Sequence, residues 1–135
     1  GRIVQQIMEI EQGKRSALEL RETISSRDLI DVRDVVKGYW ALVSRPDFSI
    51  DCVGRAFNLG SGNAYPIARI ITLLEEITGE SYPIRVPEMP PSIPVPSQRS
   101  ENARVMALTG WRPGYPLKET LRDMLAAARG MAVHR

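Results

Sequence analysis

The stretch FNLGSGNAYPIARIITLLEEITG, from Phe57 to Gly79, predicts a strand, a glycine turn and a helix in succession. An apolar run over 56–59 precedes the Gly-Ser-Gly turn, and Pro66 suits the first turn of a helix with one apolar stripe. This order is typical of the dinucleotide-binding fingerprint G-x-G-x-x-G. Tyr65, however, stands where the third glycine would let helix and strand approach closely. We therefore expect an ordinary strand–turn–helix connection here and no cofactor site.

The rest of the chain predicts a small mixed α/β domain with four to five helices and a few short strands. Helices are expected over 2–12, 32–43, 66–78, 101–108 and 117–129, and strands over 17–20, 29–30 and 56–59. Asp31 is well placed as an N-cap, and six prolines between 83 and 96 predict an extended loop. The side chains expected to be buried are Tyr39, Trp40, Phe57, Leu59, Ile70, Leu74 and Trp111.

Length and composition exclude several classes of protein. A chain of 135 residues, 43% hydrophobic and 25% charged, has the size and balance of one globular domain, 1–135. A net charge of +2 with scattered basic residues argues against nucleic acid. Cys52 is the only cysteine and His134 the only histidine, so no metal-ligand spacing exists. No run is long enough for a membrane span, and a cytoplasmic location is expected.

The first residues favour a helix that needs a partner. Ile3, Ile7 and Ile10 lie on one helical face, and Gly13 follows as a hinge. The sequence begins at Gly1 without a methionine, so we interpret it as a piece of a longer protein. If the remainder covers that face in the longer protein, the separate chain is expected to form a homodimer, with a possible exchange of this helix.

Three stretches occur in a distinctive order. They are SRDLIDVRDVVKGYW (26–40), FNLGSGNAYPI (57–67) and LTGWRPGYPLKETLRDML (108–125). Together they resemble the C-terminal, substrate-binding part of the extended short-chain dehydrogenase/reductase family, the NAD(P)-dependent epimerases and dehydratases of nucleotide sugars. Among these, the chain looks most similar to GDP-mannose 4,6-dehydratases and GDP-4-keto-6-deoxymannose reductases. The resemblance extends from the first helix to about Arg129.

The resemblance implies that the Rossmann cofactor half is absent. In this family the glycine turn belongs to the substrate-binding half, and NAD(P) binds to glycines that would precede residue 1. The family's catalytic Tyr-x-x-x-Lys is also missing, because none of the four tyrosines has a lysine four positions later. We therefore expect no catalytic, cofactor-binding or metal-binding residue in this chain. The parent would be an NAD(P)-dependent nucleotide-sugar dehydratase (a lyase), a reductase (an oxidoreductase) or an epimerase.

For the substrate, the resemblance implies a role for Arg27. This arginine matches the family residue that contacts the diphosphate of the nucleotide sugar, and a guanidinium suits phosphate oxygens. The alternative is a simple surface pair with Asp28. Asp31 and Asp34 are assigned to capping and bracing a helix.

Other positions depart from the family pattern. The second arginine of the family falls on Met89 or Pro91, and its ribose-binding acid falls on Ser92 or Pro94. Arg99 would replace that arginine only through a loop shift.

On the first helix, Gln5 and Gln6 stand where the family often has arginine or lysine, and they are further candidate contacts with the nucleotide diphosphate. Two interpretations therefore remain open. The chain is a nucleotide-sugar-binding domain, with a GDP-sugar favoured, or it is a non-catalytic remnant that acts through protein contacts.

Overall fold

The computed structural model describes residues 1–88 and 95–130, which fall into two compact units. The described part contains six helices and five short strands: α1 (Arg2–Glu11), β1 (Leu18–Glu19), β2 (Ser26–Asp28), α2 (Val32–Val43), α3 (Phe48–Asp51), β3 (Ala64–Pro66), α4 (Ile67–Thr78), β4 (Ile84–Arg85), β5 (Ser97–Gln98), α5 (Ala103–Thr109) and α6 (Leu117–Ala128). This confirms the predicted small α/β architecture, with one added single-turn helix, α3. That both units together form one substrate-binding domain over 1–135 stays a prediction.

The first unit comprises the described residues of 1–25, 66–96 and 118–135. Its two strands pair in parallel, with Leu18 opposite Ile84. Its helices are α1, α4 and most of α6, and each places apolar side chains in the interior. The buried apolar residues of this unit are Val4, Ile7, Leu18, Ile70, Ile71, Leu73, Leu74, Tyr82, Leu121 and Leu125.

The second unit comprises residues 26–65 and 97–117. Its sheet has the order β3-β2-β5, so β2 is the central strand, and β2 and β5 run in parallel. Helices α2 and α5 belong to this unit together with α3. Its core contains Leu42, Cys52, Val105 and Trp111, with Phe57 and Leu59 packed against it. The predicted burial of Trp111 is therefore confirmed, whereas Phe57 and Leu59 are only partly buried.

Single residues define the start of α2 and both ends of α4. The Asp31 side chain accepts a hydrogen bond from the N–H of Arg33 and caps α2, as predicted. Gly79 ends α4, and its φ of +76° is the left-handed conformation that glycine adopts without strain. Helix α4 begins directly after Pro66, and it buries Ile70 and Leu74 as expected.

The predicted strand over 56–59 is wrong. Phe57 and Leu59 pack against the core while Ala56 and Asn58 are exposed, but no strand pairs with this segment among the described residues. A β-strand is defined by main-chain hydrogen bonds to a neighbouring strand. The sequence pattern indicates only that successive side chains point to opposite faces. The strand expected at 29–30 lies at Ser26–Asp28 instead.

The predicted burial of Tyr39 and Trp40 is also wrong, because they are 60% and 71% exposed. Helix α2 instead packs through its other face, on which Asp34, Gly38 and Leu42 are buried at a spacing of four residues. At Gly38 an added Cβ would lie 2.8 Å from Leu59, so the helix approaches this side chain closely.

Helix α1 is not the exposed apolar element that the sequence analysis expected. Ile7 is fully buried, and Ile3 and Ile10 are partly buried, within the first unit. The first helix therefore has no exposed apolar face that would favour its exchange between two copies, although the dimer itself stays a prediction. The sequence predictions that concern Met89, Pro91, Ser92, Pro94 and His134 lie outside the described residues.

Within the described ranges, every helix is too short or too polar to cross a lipid bilayer.

Candidate functional site

The carboxylate of Asp28 organises three chain segments at the end of strand β2. Oδ1 accepts hydrogen bonds from the N–H of Ser61 at 2.8 Å and from its hydroxyl at 2.7 Å. Oδ2 accepts the N–H of Gly62 at 3.0 Å and the N–H of Ser100 at 2.9 Å. One aspartate thus joins β2, the glycine turn and the segment that follows β5.

Asn102 completes this network through the main chain of Gly60. Its side-chain amide donates to the carbonyl of Gly60 at 2.7 Å and accepts the N–H of Gly60 at 3.1 Å. Ser100 Oγ donates to the same Asn102 oxygen at 2.9 Å. Space is so limited that a Cβ on Gly60 would lie 2.2 Å from the Cβ of Ser100. Glycine at this position is therefore required by close packing.

The network also sets the charge state of Asp28. Partial burial by itself raises the pKa of this carboxyl, but hydrogen bonds from Ser61, Ser100 and Gly62 outweigh burial and hold the pKa below the ordinary 3.8. Asp28 is therefore a carboxylate at neutral pH. It acts as a fixed internal anion at the turn.

This arrangement explains why the turn resembles a phosphate-binding loop. In such loops successive backbone N–H groups converge on an anion. Here the N–H groups of Ser61 and Gly62 converge on the Asp28 carboxylate, and the N–H of Gly60 is bound to Asn102. These donors are therefore engaged within the protein.

Arg27 lies in the middle of the central strand β2, opposite Gln98 of β5. Its Nη1 donates to the carbonyl of Ser26 at 2.8 Å, and its side chain is half-buried. Because side chains alternate along a strand, Arg27 and Asp28 extend from opposite faces of the sheet. The Asp28 carboxylate accepts hydrogen bonds from Ser61, Gly62 and Ser100. It therefore does more than form the surface pair with Arg27 that was the alternative in the sequence analysis.

Arg99 borders an open cavity of about 520 Å³ in the second unit. The walls come from the glycine turn, the start of α5 and the Trp-Arg-Pro segment, and they include Arg112 as a second guanidinium. Ser61, Asn63 and Ser100 add polar groups, while Glu101 contributes one carboxylate. Two arginines and several hydrogen-bonding groups suit an anionic ligand. Arg27 is not among the residues that line this cavity.

The two glutamines proposed as substrate contacts belong to the first unit. Gln6 is buried, and its amide donates to the carbonyl of Glu19 at 3.1 Å and accepts the N–H of Glu19 at 2.7 Å. This side chain therefore holds β1 to α1. Gln5 is exposed on α1.

Asp34 has the bracing role predicted from the sequence. It is almost fully buried, and its Oδ2 accepts the N–H groups of Gly114 and Tyr115, both at 2.9 Å. The indole N–H of Trp111 donates to the carbonyl oxygen of Asp34 at 2.9 Å. The Trp-Arg-Pro-Gly-Tyr turn is thereby fixed to α2. Arg33 adds a cation–π contact, with its guanidinium carbon 3.8 Å from the centre of the Tyr115 ring.

Three residues of this region were not recognised from the sequence. Asp28 and Asn102 contact the turn across 33 and 42 residues, so no local pattern indicated their roles. Arg112 was interpreted only as part of a turn. The signal that could have identified Asp28 is the need of a glycine turn's N–H groups for an acceptor.

Comparisons with known proteins support the same family. No protein-family model matches the chain. GDP-6-deoxy-D-mannose reductase from Pseudomonas aeruginosa is 30% identical over 125 residues, which cover 90% of this chain and 39% of the reductase. The solved structure of RMD from P. aeruginosa, complexed with NADPH, matches with a TM-score of 0.74 at 30% identity, over 92% of this chain and 39% of that one.

A second solved structure supports the fold alone. UDP-glucuronic acid 4-epimerase from Bacillus cereus, in complex with UDP-glucuronic acid and NAD, has a TM-score of 0.77 at 20% identity. The match covers 96% of this chain and 38% of the epimerase. The chain thus spans about two fifths of the length of the proteins that it matches. It corresponds to the C-terminal part of an extended short-chain dehydrogenase/reductase of the nucleotide-sugar epimerase and reductase family.

Proposed function

We propose that this chain binds the nucleotide diphosphate of a sugar nucleotide, as the substrate-binding part of an NAD(P)-dependent reductase or epimerase. The observation that carries the proposal is the similarity to a GDP-6-deoxy-D-mannose reductase over 90% of the chain. The Ser-Arg-Asp stretch with Arg27 lies on the central strand of the sheet in the second unit. The parent would supply NAD(P) and the catalytic residues.

Arg27 is proposed to contact the diphosphate. A guanidinium carries a permanent charge and forms paired hydrogen bonds with phosphate oxygens, which makes it suited to this role. Arg99 is the proposed second contact, since it borders the 520 Å³ cavity with Arg112. Each charge-assisted hydrogen bond typically contributes about 1.5–3 kcal/mol. With few cations available, binding is expected to be weak and to weaken further with salt.

A GDP-sugar is the proposed substrate class. The name of the P. aeruginosa reductase supports a guanine nucleotide, and so does the resemblance of the chain to GDP-mannose enzymes. A dehydratase, reductase or epimerase reaction in the parent would each use such a substrate. The cytoplasm is the proposed location.

The proposal is tested by calorimetric titration of the chain with GDP, UDP and dTDP at low ionic strength. GDP is expected to bind most tightly. Arg27→Ala is expected to weaken GDP binding by about 10-fold or more, as the loss of one charge-assisted bond predicts. Arg27→Lys keeps the charge but loses the planar fork, so its affinity is expected to lie between the two.

The matched control is Arg122→Ala, which removes an exposed arginine from α6 in the other unit. This variant is expected to bind GDP as the unaltered chain does. Equal binding by Arg27→Ala would show that Arg27 does not contact the phosphates. If all three diphosphates fail to bind at millimolar concentration, the nucleotide proposal itself fails.

The second candidate function is a non-catalytic remnant that acts through protein contacts. One observation favours it: large apolar side chains, including Tyr39 and Trp40, are exposed on α2. A homodimer would be one such contact, and light scattering at high concentration tests it. This candidate gains support if no diphosphate binds while the chain still associates.

A further inference from the structure

A further cavity in the second unit lies between α3, the segment that follows it, and α5. Its volume is about 550 Å³, and we call it the α3–α5 cavity. The residues that line it are Asp51, Arg55, Phe57, Arg104, Ala107 and Leu108. None of them lines the cavity that contains Arg99 and Arg112. The α3–α5 cavity is therefore a separate candidate for ligand binding.

Two arginines hold the walls of this cavity together. Arg45 lies between α2 and α3; its Nη1 donates to the carbonyl of Leu108 at 2.5 Å, and its Nη2 donates to the carboxylate of Asp51 at 2.7 Å. Helix α3 is thereby tied to the end of α5. Arg104 of α5 donates from Nη1 to the carbonyl of Ala56 at 3.1 Å. Because these contacts are internal to the protein, a ligand would meet a largely preformed site.

The charges around the α3–α5 cavity leave an excess of positive charge. Asp51 is the one acid among the six lining residues, and its carboxylate is paired with Arg45. Arg104 uses one N–H group on a neutral carbonyl, so its charge is not compensated there. The side chain of Arg55 is exposed and forms no hydrogen bond or ion pair with the residues that the structure describes. Three guanidinium groups thus accompany a single carboxylate, a difference of two charges.

The remaining lining is apolar. Phe57 and Leu108 are half-buried and pack against the core of the unit, so their positions are fixed from behind. Ala107 adds a small exposed methyl group on α5. An aromatic ring such as that of Phe57 interacts favourably with another ring, in stacked or edge-to-face geometry. A ligand of matching chemistry therefore has a flat apolar group next to an anionic group.

We propose that the α3–α5 cavity binds a small aromatic phosphate monoester, with Arg55 and Arg104 on the phosphate and with Phe57, Ala107 and Leu108 against the aromatic group. A phosphate monoester carries a charge close to about −2 at pH 7, which matches the excess of two cations. Its oxygens accept the paired N–H donors of a guanidinium. The proposal does not depend on the nucleotide diphosphate proposed for Arg27, because neither Arg27 nor Arg99 lines this cavity.

The test is calorimetric titration of the complete 135-residue chain with phenyl phosphate, inorganic phosphate and phenol at low ionic strength. Phenyl phosphate is expected to bind with a stoichiometry of one and about 10-fold or more tightly than either of the other two, since each of these supplies only half of the contacts. Arg55→Ala is expected to raise the dissociation constant for phenyl phosphate about 10-fold or more. Arg55 has no side-chain partner among the described residues, so thermal unfolding of this variant is expected to be unchanged.

A second variant addresses the apolar wall. Ala107→Glu places a carboxylate on the exposed side of α5 within the cavity. It is expected to weaken phenyl phosphate binding by about 10-fold or more, because it repels the phosphate and covers the surface proposed for the ring. Circular dichroism and thermal unfolding verify that the variant is folded.

The matched control is Arg112→Ala, which removes an exposed arginine of the same unit from the other cavity. It is expected to bind phenyl phosphate as the unaltered chain does, and Arg55→Ala is expected to bind GDP as the unaltered chain does. The proposal is overturned if phenyl phosphate fails to bind at millimolar concentration or binds no more tightly than inorganic phosphate. It is also overturned if Arg112→Ala weakens binding as much as Arg55→Ala, since the ligand would then occupy the other cavity.

Discussion

The carboxylate of Asp28 accepts two hydrogen bonds from Ser61, one from its main-chain N–H at 2.8 Å and one from its hydroxyl at 2.7 Å. This contact joins the first of the three family-like stretches to the second. The Asp28 carboxylate also binds N–H groups of a turn that has the glycine spacing of a phosphate-binding loop. The glycines therefore serve the internal architecture of the second unit, and the proposed phosphate contact, Arg27, lies on the neighbouring position of the same strand.

Asp28→Asn is expected to lower the free energy of unfolding by about 1–3 kcal/mol at pH 7. The side-chain NH2 of asparagine would face the N–H groups of Gly62 and Ser100, which now donate to a carboxylate oxygen, so these partly buried donors lose their acceptor. Urea denaturation at pH 7 provides the measurement. A variant as stable as the unaltered chain would contradict the role of Asp28 as the anchor of the turn.

The same carboxylate predicts a pH dependence with a definite sign. Because folding lowers the pKa of Asp28, its contribution to stability is complete above the unfolded pKa near 3.8 and is lost as the pH falls through the folded pKa. The difference in unfolding free energy between the unaltered chain and Asp28→Asn should thus be constant from pH 7 to 5 and shrink below about pH 4. A difference that grows on acidification would contradict this assignment.

Gly60→Ala is expected to cost about 3 kcal/mol or more, because its Cβ would overlap Ser100 and no flexible chain end can move aside. Gly62→Ala is the matched control. It has a φ of +75° but only an ordinary contact at 3.6 Å, so backbone strain alone predicts about 1–2 kcal/mol. Adding Ser100→Gly should recover part of the Gly60→Ala loss. Equal effects of the two alanines in thermal unfolding would contradict the packing explanation.

Asp34→Ala is expected to destabilise the second unit by about 1–3 kcal/mol, because the N–H groups of Gly114 and Tyr115 lose a buried acceptor. Asp34→Asn keeps a carbonyl oxygen that can accept both bonds, so its cost is expected to be smaller. Denaturant titrations of the two variants supply the comparison. If they are equally unstable, the side chain acts through something other than these two hydrogen bonds.

Whether a feature of the fold could be predicted depends on how far apart in the sequence its interacting residues lie. The start of α2 followed from Asp31, a single N-cap signal within one turn. The contact of Asp28 with Ser61 spans 33 residues and has no local signature. Residues 56–59 show the alternation of a strand, but a ladder needs a partner that no single segment specifies.

The orientation of α2 failed for a related reason. Its apolar residues fall on one side, and the sequence analysis placed that side in the core. The structure buries the opposite side, through Asp34, Gly38 and Leu42, because the Trp-Arg-Pro-Gly-Tyr turn binds Asp34 there. For the candidate site, the sequence identified Arg27 and Arg99 as candidate phosphate contacts because they are arginines. That Arg99 and Arg112 line the same cavity could be seen only in the folded structure.

The chain by itself is expected to leave NADPH fluorescence unchanged at micromolar concentrations and to show no turnover of GDP-mannose. The turn N–H groups are bound by Asp28 and Asn102, and the sequence has no Tyr-x-x-x-Lys. The P. aeruginosa protein that was solved with NADPH serves as the positive control. A saturable fluorescence increase with the chain would contradict this expectation.

The central claim, that Arg27 binds the diphosphate of a nucleotide, is tested most directly by a thermodynamic cycle. Calorimetry gives the affinities of GDP and guanosine for the unaltered chain and for Arg27→Ala at low salt. The unaltered chain is expected to prefer GDP over guanosine, and Arg27→Ala is expected to reduce this preference by about 10- to 150-fold, the equivalent of one charge-assisted hydrogen bond. A preference for GDP that is the same in both proteins would contradict the claim.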